Sequence, residues 1–101
     1  MRVAFLPVAA VELGDAVAFY NRQSEGLGFQ FALAVQRTLD RIAAFPDAWP
    51  VLSERTRRCR MRRFPYGLIY RVQDDTLLIV AVMHLQRHPD AWRDRVPSDG
   101  P

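Results

Sequence analysis

The chain contains no lysine: all 14 of its basic residues are arginine. That absence removes the amine most readily tuned into a general base, since arginine keeps its proton at any ordinary pH. Cysteine is nearly absent too. The single thiol, Cys59, excludes an intrachain disulfide and fits a reducing, cytoplasmic setting. With two histidines and no carboxylate at ligand spacing, it falls short of the usual four-ligand set. No metal site is therefore expected, and nothing calls for another cofactor. Of the five glycines, Gly26 and Gly28 fall in a turn between two helical patterns, not between a strand and a helix, which leaves no phosphate-cradling loop. No apolar run approaches the ~20 residues of a membrane span. The N-terminal stretch "MRVAFLPVAAVELGD" is apolar only briefly, is broken by Pro7 and meets Glu12 and Asp15 at once, so it reads as mature protein and not as a leader.

What is present is an ordinary globular composition, 50% hydrophobic and 25% charged over 101 residues. That supports one thin-cored domain, placed at 1–95, with a Pro-, Ser- and Gly-containing tail at 96–101 that should fray. The charge is unevenly spread. Six arginines crowd into "RTRRCRMRR" (55–63), and outside that run eight arginines meet eleven acidic residues. A local basic patch of this kind points to an anionic partner, such as nucleic acid or an acidic protein segment.

Periodicity sets the expected order of elements. "RVAFLPV" (2–8) is short and β-prone, and Pro7 confines it to a strand end or a sheet edge. Leu13, Ala16, Val17 and Tyr20 make one apolar helical face over 9–23; Leu27, Phe31, Val35, Leu39 and Ile42 make another over 27–45, stopped by Pro46. These two helices form an antiparallel hairpin. "PDAWPVLSE" reads as a connector, with Trp49 packed down on the core. Then come "TRRCRMRRF" (56–64), "YGLIYRV" (66–72) and "TLLIVAVMH" (76–84), the last apolar on both faces and so central. "HPDAWRDR" (88–95) reads as a short helix. The fold class is α+β: a strand, a helical hairpin, a three-stranded antiparallel meander and a short helix. In the arginine strand Cys59 and Met61 turn to the core, while Arg58, Arg60 and Arg62 share the other flank at roughly 7 Å intervals.

At this point the residues resemble the RelE/ParE toxins of bacterial type II toxin–antitoxin modules. The resemblance is carried by "AAVELGDAVAFY", "LGFQF", "RIAAFPDAWP", "RRFPYGLIYRV" and "VMHLQRHPDAWRDR", in that order and at this length. It implies a growth-inhibiting toxin, of the kind that stabilises plasmids, held by a cognate antitoxin whose extended or helical tail wraps it. It also implies one of two cellular targets. ParE-like members stall DNA gyrase; RelE-like members cut messenger RNA on the ribosome. A relative that has lost toxicity and only binds is a third possibility.

Residues must separate the first two. RNA cleavage through the 2′-OH needs a base, an acid and positive charge around the phosphate. Arg58, Arg60, Arg63 and Arg87 could supply the charge. The base would have to be His84, His88, Tyr66 or an acid, although His84 could equally cap its strand through a backbone hydrogen bond. Gly67 stands where RelE-like nucleases tend to carry a basic residue, and Trp92 stands where their C-terminal aromatic would stack on a base. Tryptophan stacks but transfers no proton. The gyrase reading is therefore preferred. The expected partner-binding or polyanion-binding set is Arg58, Arg60, Arg62, Arg63, Tyr66, Arg71, Arg87 and Trp92.

Overall fold

The most regular apolar pattern in the chain forms its best-buried helix. In the computed structural model, which describes residues 1–87 and 89–97, helix α2 spans Leu27–Ala44 and buries Phe31, Ala34, Val35, Thr38, Leu39 and Ile42. This is the i, i+3, i+4, i+7 stripe of a core-facing helix. Thr38 escapes the cost of a buried hydroxyl by donating to the Ala34 carbonyl at 2.8 Å. Helix α1 spans Pro7–Gln23. Strand β1, Arg2–Phe5, lies at the edge of the sheet as expected, but it stops short of Pro7, which opens the helix instead of ending the strand. A missing N–H and a fixed φ suit a first helical turn as well as a strand terminus. The two helices close tightly because residue 28 is glycine. A Cβ there would lie 2.4 Å from the Val17 carbonyl oxygen, and the Gly28 N–H instead donates to Asn21 Oδ1 at 2.9 Å.

The remaining strands are β2 (Val51–Ser53), β3 (Thr56–Arg60), β4 (Tyr66–Gln73) and β5 (Thr76–His84). They form one sheet in the order β1-β5-β4-β3-β2. β1 runs parallel to β5, and the other pairs are antiparallel. The β3–β4–β5 meander and the central place of β5 agree with the sequence reading. β2 was expected to be part of a connector; three residues behind a proline carry too little alternation to announce a strand. The expected helix at 88–95 is also corrected. Its described residues form turns and a single 3-10 turn, Arg93–Arg95. Bounded by Pro89 and Pro97, the segment is too short to repay helix nucleation.

Both faces of the sheet are covered. On one, Leu68, Tyr70, Leu77, Ile79 and Val82 join the buried residues of α1 and α2. On the other, Ile69, Val80, Ala81 and Met83 are closed by Trp92, which is 3% exposed, with Leu52, Leu78 and Val96 around it. A bulge allows this double use. Ile69 pairs with Ala81 and Tyr70 with Ile79, so Val80 stands unpaired in the β4–β5 ladder and the faces of β5 exchange phase there. The connector after α2 is fastened by arginine and tyrosine. Arg57 donates to the Asp47 and Trp49 carbonyls at 3.1 and 2.8 Å, and the buried Tyr70 hydroxyl donates to the Pro46 carbonyl.

Burial raises the Tyr70 phenol from 10.0 to about 12, with the Arg57 charge partly opposing that rise. Because the folded value lies above the unfolded one, this stabilisation is complete below about pH 10 and is lost as the pH climbs towards 12. Tyr70→Phe should therefore lose about 1 kcal/mol at neutral pH with its hydrogen bond. It should also flatten the alkaline decline, as urea denaturation at pH 8 through 12 would show.

Candidate functional site

The bulge at Val80 has a second effect: it turns His84 towards the helices. His84 pairs with Tyr66, and their rings meet edge-on at 5.2 Å between centroids. Tyr66 in turn packs on Phe31 at 5.0 Å, and Tyr20 stacks on Phe31 at 5.3 Å and meets Phe64 at 4.8 Å. Tyr20 and Tyr66 of this cluster line a groove of about 550 Å³ between α1 and β5. Glu12, Asp15, Ala16 and Phe19 line the α1 side; Val82, His84, Arg87 and Arg95 line the other.

One edge of β5 gives the groove its electrostatics. β1 pairs only with residues 76–79, so β5 from Val80 onward has no strand beside it on that side. Two side chains take the missing strand's place. The Glu12 carboxylate accepts the Val82 N–H at 3.1 Å and grips Arg95 in a fork, at 2.7 Å to Oε1 and 2.9 Å to Oε2. Arg95 also donates to the Val80 carbonyl at 3.2 Å. Two-pronged charge-assisted pairs of this kind fix geometry as well as energy.

At the aromatic end, burial raises the pKa of both Tyr20 and Tyr66. The charge of Arg87 pulls each part of the way back, while Tyr66 adds to the rise at Tyr20 and Glu12 to that at Tyr66. Both phenols therefore keep their protons near neutrality and act as donors. No hydrogen bond from the Arg87 guanidinium to another described residue is present, and none from either phenol. His84 is oriented by its own turn: Nδ1 accepts the Gln86 N–H at 3.2 Å, and its carbonyl accepts the Arg87 N–H at 3.2 Å. Nε2 is then the ring nitrogen that carries hydrogen in the neutral form.

The residues expected from sequence to bind a partner fall into separate places. Arg58 and Arg60 lie on the sheet face opposite the helices. Arg60 pairs with Gly67 and Arg58 with Ile69, and Arg58 lies across Gly67, where a Cβ would meet its Cγ at 3.2 Å. Arg62 does not continue their row, because β3 ends at Arg60 and residues 61–65 bend away. Arg63 turns to the helices, donating to Gln30 Oε1 at 3.0 Å and covering the Phe64 ring. Arg71 is 3% exposed, with Nε on the Thr56 hydroxyl at 2.9 Å and a terminal nitrogen on the Pro97 carbonyl at 3.1 Å. It and Trp92 are built into the fold, not presented at its surface. Tyr66, His84 and Arg87 do meet in the groove; His88 lies outside the described residues. Cys59 is fully buried and burial raises its thiol pKa, against the nearby charges of Arg41 and Arg62, so it packs as expected.

Sequence reasoning missed Glu12, Asp15, Tyr20 and Arg95. Glu12 had a legible signal: it stands three residues after Ala9 and four before Ala16, both buried, so it is an acid on the apolar stripe. Arg95 had none, because its partner lies 83 residues away.

The arrangement limits the chemistry. The arginine pair of β3 and the imidazole of His84 are on opposite faces of one sheet, so they cannot converge on one scissile phosphate.

Comparison with known proteins agrees with the fold. The model of the ParE toxin of the type II toxin–antitoxin system parDE matches residues 3–89, and the chain belongs to that family. A solved structure from P. aeruginosa, described as a chromosomal ParDE toxin–antitoxin system, is similar with a TM-score of 0.63 at 16% sequence identity, covering 85% of this chain and 97% of that one. No curated protein matches the chain in sequence.

The edge clamp yields a prediction. Glu12→Ala would leave a half-buried guanidinium and the Val82 N–H without their acceptor, at a cost of about 2 kcal/mol. The melting temperature should fall by roughly 10 °C. Hydrogen exchange at the Val82 amide should accelerate more than at amides inside the β4–β5 ladder, and equal protection in both proteins would show the clamp to be inert.

Proposed function

We propose that this chain is a toxin that inhibits DNA gyrase by binding it, without chemistry of its own, and that a cognate antitoxin holds it inactive in the cytoplasm. Membership of the ParE family carries the toxin assignment. The similar ParDE structure supports an antitoxin as the resting partner. The choice of target rests on one observation: the arginines that a ribonuclease would gather around the phosphate are divided between the two faces of the sheet. Arg58 and Arg60 are on one; His84 and Arg87 are on the other, and Arg63 is drawn to α2. A protein that grips another protein needs no such convergence, only a shaped and charged surface. Growth restraint, and retention of a plasmid carrying the pair, would follow.

Induced alone, the chain should arrest growth. The purified protein, incubated with gyrase and plasmid, should accumulate cleaved gyrase–DNA complexes and leave mRNA on programmed ribosomes intact. Unchanged supercoiling together with cut mRNA would replace the gyrase reading with the nuclease one. Normal growth on induction would reduce the protein to a binding relative.

A further inference from the structure

The aromatic end of the groove is a cluster of donors without an acceptor. The Arg87 guanidinium, the Tyr20 and Tyr66 hydroxyls and the Nε2–H of His84 border the same space, and among the described residues none of them is hydrogen-bonded. The nearest acid with a fixed position, Glu12, is already committed to Arg95 and Val82. A carboxylate placed here would meet donors on several sides, in a recess partly screened from water, where charge-assisted hydrogen bonds are strongest.

The rest of the lining decides what kind of molecule brings that charge. Asp15 and Glu12 lie on α1 about 8 and 12 Å back from Tyr20 by helical rise, and Asp15 has no cation bonded to it among the described residues. A nucleic-acid strand presents phosphates in succession, so a following charge would fall against Asp15, which, unlike Glu12, is not balanced by an arginine among the described residues. Between the two charged ends the lining is apolar, from Ala16, Phe19 and Val82; Phe19 is 40% exposed. The sequence of chemistry along the groove is thus donor, apolar, acid. A peptide carrying an acidic residue, then apolar side chains, then a neutral or basic residue complements it, and the volume of about 550 Å³ suits three or four such side chains.

We propose that the groove between α1 and β5 is a peptide-binding site. In it Arg87, with Tyr66 and His84, takes the carboxylate of an acidic side chain of a partner protein, and Asp15 selects against a second negative charge. This deepens the antitoxin reading, on which it rests, by naming the chemistry of the bound segment and the residues that select it.

The test uses blocked peptides and the isotopically labelled full chain. Ac-Glu-Leu-Leu-Lys-NH2 should shift the His84 and Tyr66 ring resonances on titration, with a dissociation constant in roughly the millimolar range expected of so small a ligand. Ac-Gln-Leu-Leu-Lys-NH2, and the Glu peptide with Arg87→Ala, should each bind at least tenfold more weakly. Ac-Glu-Leu-Leu-Glu-NH2 should bind more weakly to the wild type but recover with Asp15→Asn. The proposal falls if the Glu and Gln peptides bind alike, if no ring resonance moves, or if a short oligothymidine shifts the same resonances more strongly. Growth arrest relieved by a co-expressed partner, with no shift in this groove, would remove the site and leave the toxin reading standing. Absence of arrest would remove the toxin reading itself.

Discussion

A strand in the middle of a sheet needs hydrogen-bond partners along both edges, and β5 has them on only one for its second half. β1 is four residues long and accompanies β5 only over residues 76–79. Beyond that point the backbone would meet water or an unfilled space beside α1. The Glu12 carboxylate and the Arg95 guanidinium supply what a longer β1 would have supplied: an acceptor for the Val82 N–H and a donor for the Val80 carbonyl. Because Arg95 must reach this edge, the segment after β5 has to fold back along the sheet. That return path brings Trp92 over the face away from the helices and closes the second core. The space that β1 does not fill becomes the groove. One short strand therefore accounts for the ion pair, the course of the C-terminal segment and the recess beside α1.

The missing lysines take on a structural meaning in the same light. Several arginines spend their donors on backbone carbonyls of other segments: Arg57 on Asp47 and Trp49, Arg41 on Arg60, Arg71 on Pro97, Arg95 on Val80. The guanidinium is a planar fork of five donors and can satisfy two acceptors at once, which an ammonium on a flexible stem does with less geometric control. In a 101-residue domain with a thin core, such cross-links hold the loops and the terminal segment where apolar burial alone is meagre. The run at 55–63 is therefore not one polyanion-binding row. Arg57 is consumed inside the fold, Arg58 and Arg60 face one side, and Arg63 faces the other.

This division explains what the sequence could and could not disclose. Helix α2 and the β4–β5 hairpin were legible because their apolar periods of 3.6 and 2 persist over many residues. The turn ending at Gly26 was legible for the same reason, as an interruption of that rhythm, whereas Gly28, expected in the same turn, lies inside α2. Alternation likewise set Arg58 and Arg60 together and Cys59 inward. It overran at Arg62, because a pattern of alternate residues does not mark where the ladder stops pairing. The bulge at Val80 was hidden in "TLLIVAVMH", where both neighbours are apolar and a phase change leaves no trace. Yet that one extra residue decides which face His84 occupies, and with it which residues the site contains. Tyr66, His84 and Arg87 were named from sequence as separate candidates; their meeting with Tyr20 across α1 is a tertiary fact, as is the clamp between residues 83 positions apart.

A basic protein with an acid-lined recess is an unusual combination only if net charge is taken as the guide to recognition. The long-range field of the +3 chain speeds the approach of any anionic partner, over about a Debye length. It does not say what fits once contact is made. Within the groove the decisive distances are a few ångströms, and there Asp15 weighs as heavily as Arg87, while Glu12 is balanced by Arg95. A polyanion drawn in by the outer field finds its charges opposed at the second step, whereas a peptide with one well-placed carboxylate does not. Attraction and discrimination are thereby assigned to different residues, the first to arginines spread over both faces of the sheet and the second to a handful of side chains along α1. Specificity of this kind depends on a repulsive element as much as on an attractive one, and here the repulsive element sits on the helix turns next to the only stretch of β5 that the sheet leaves uncovered.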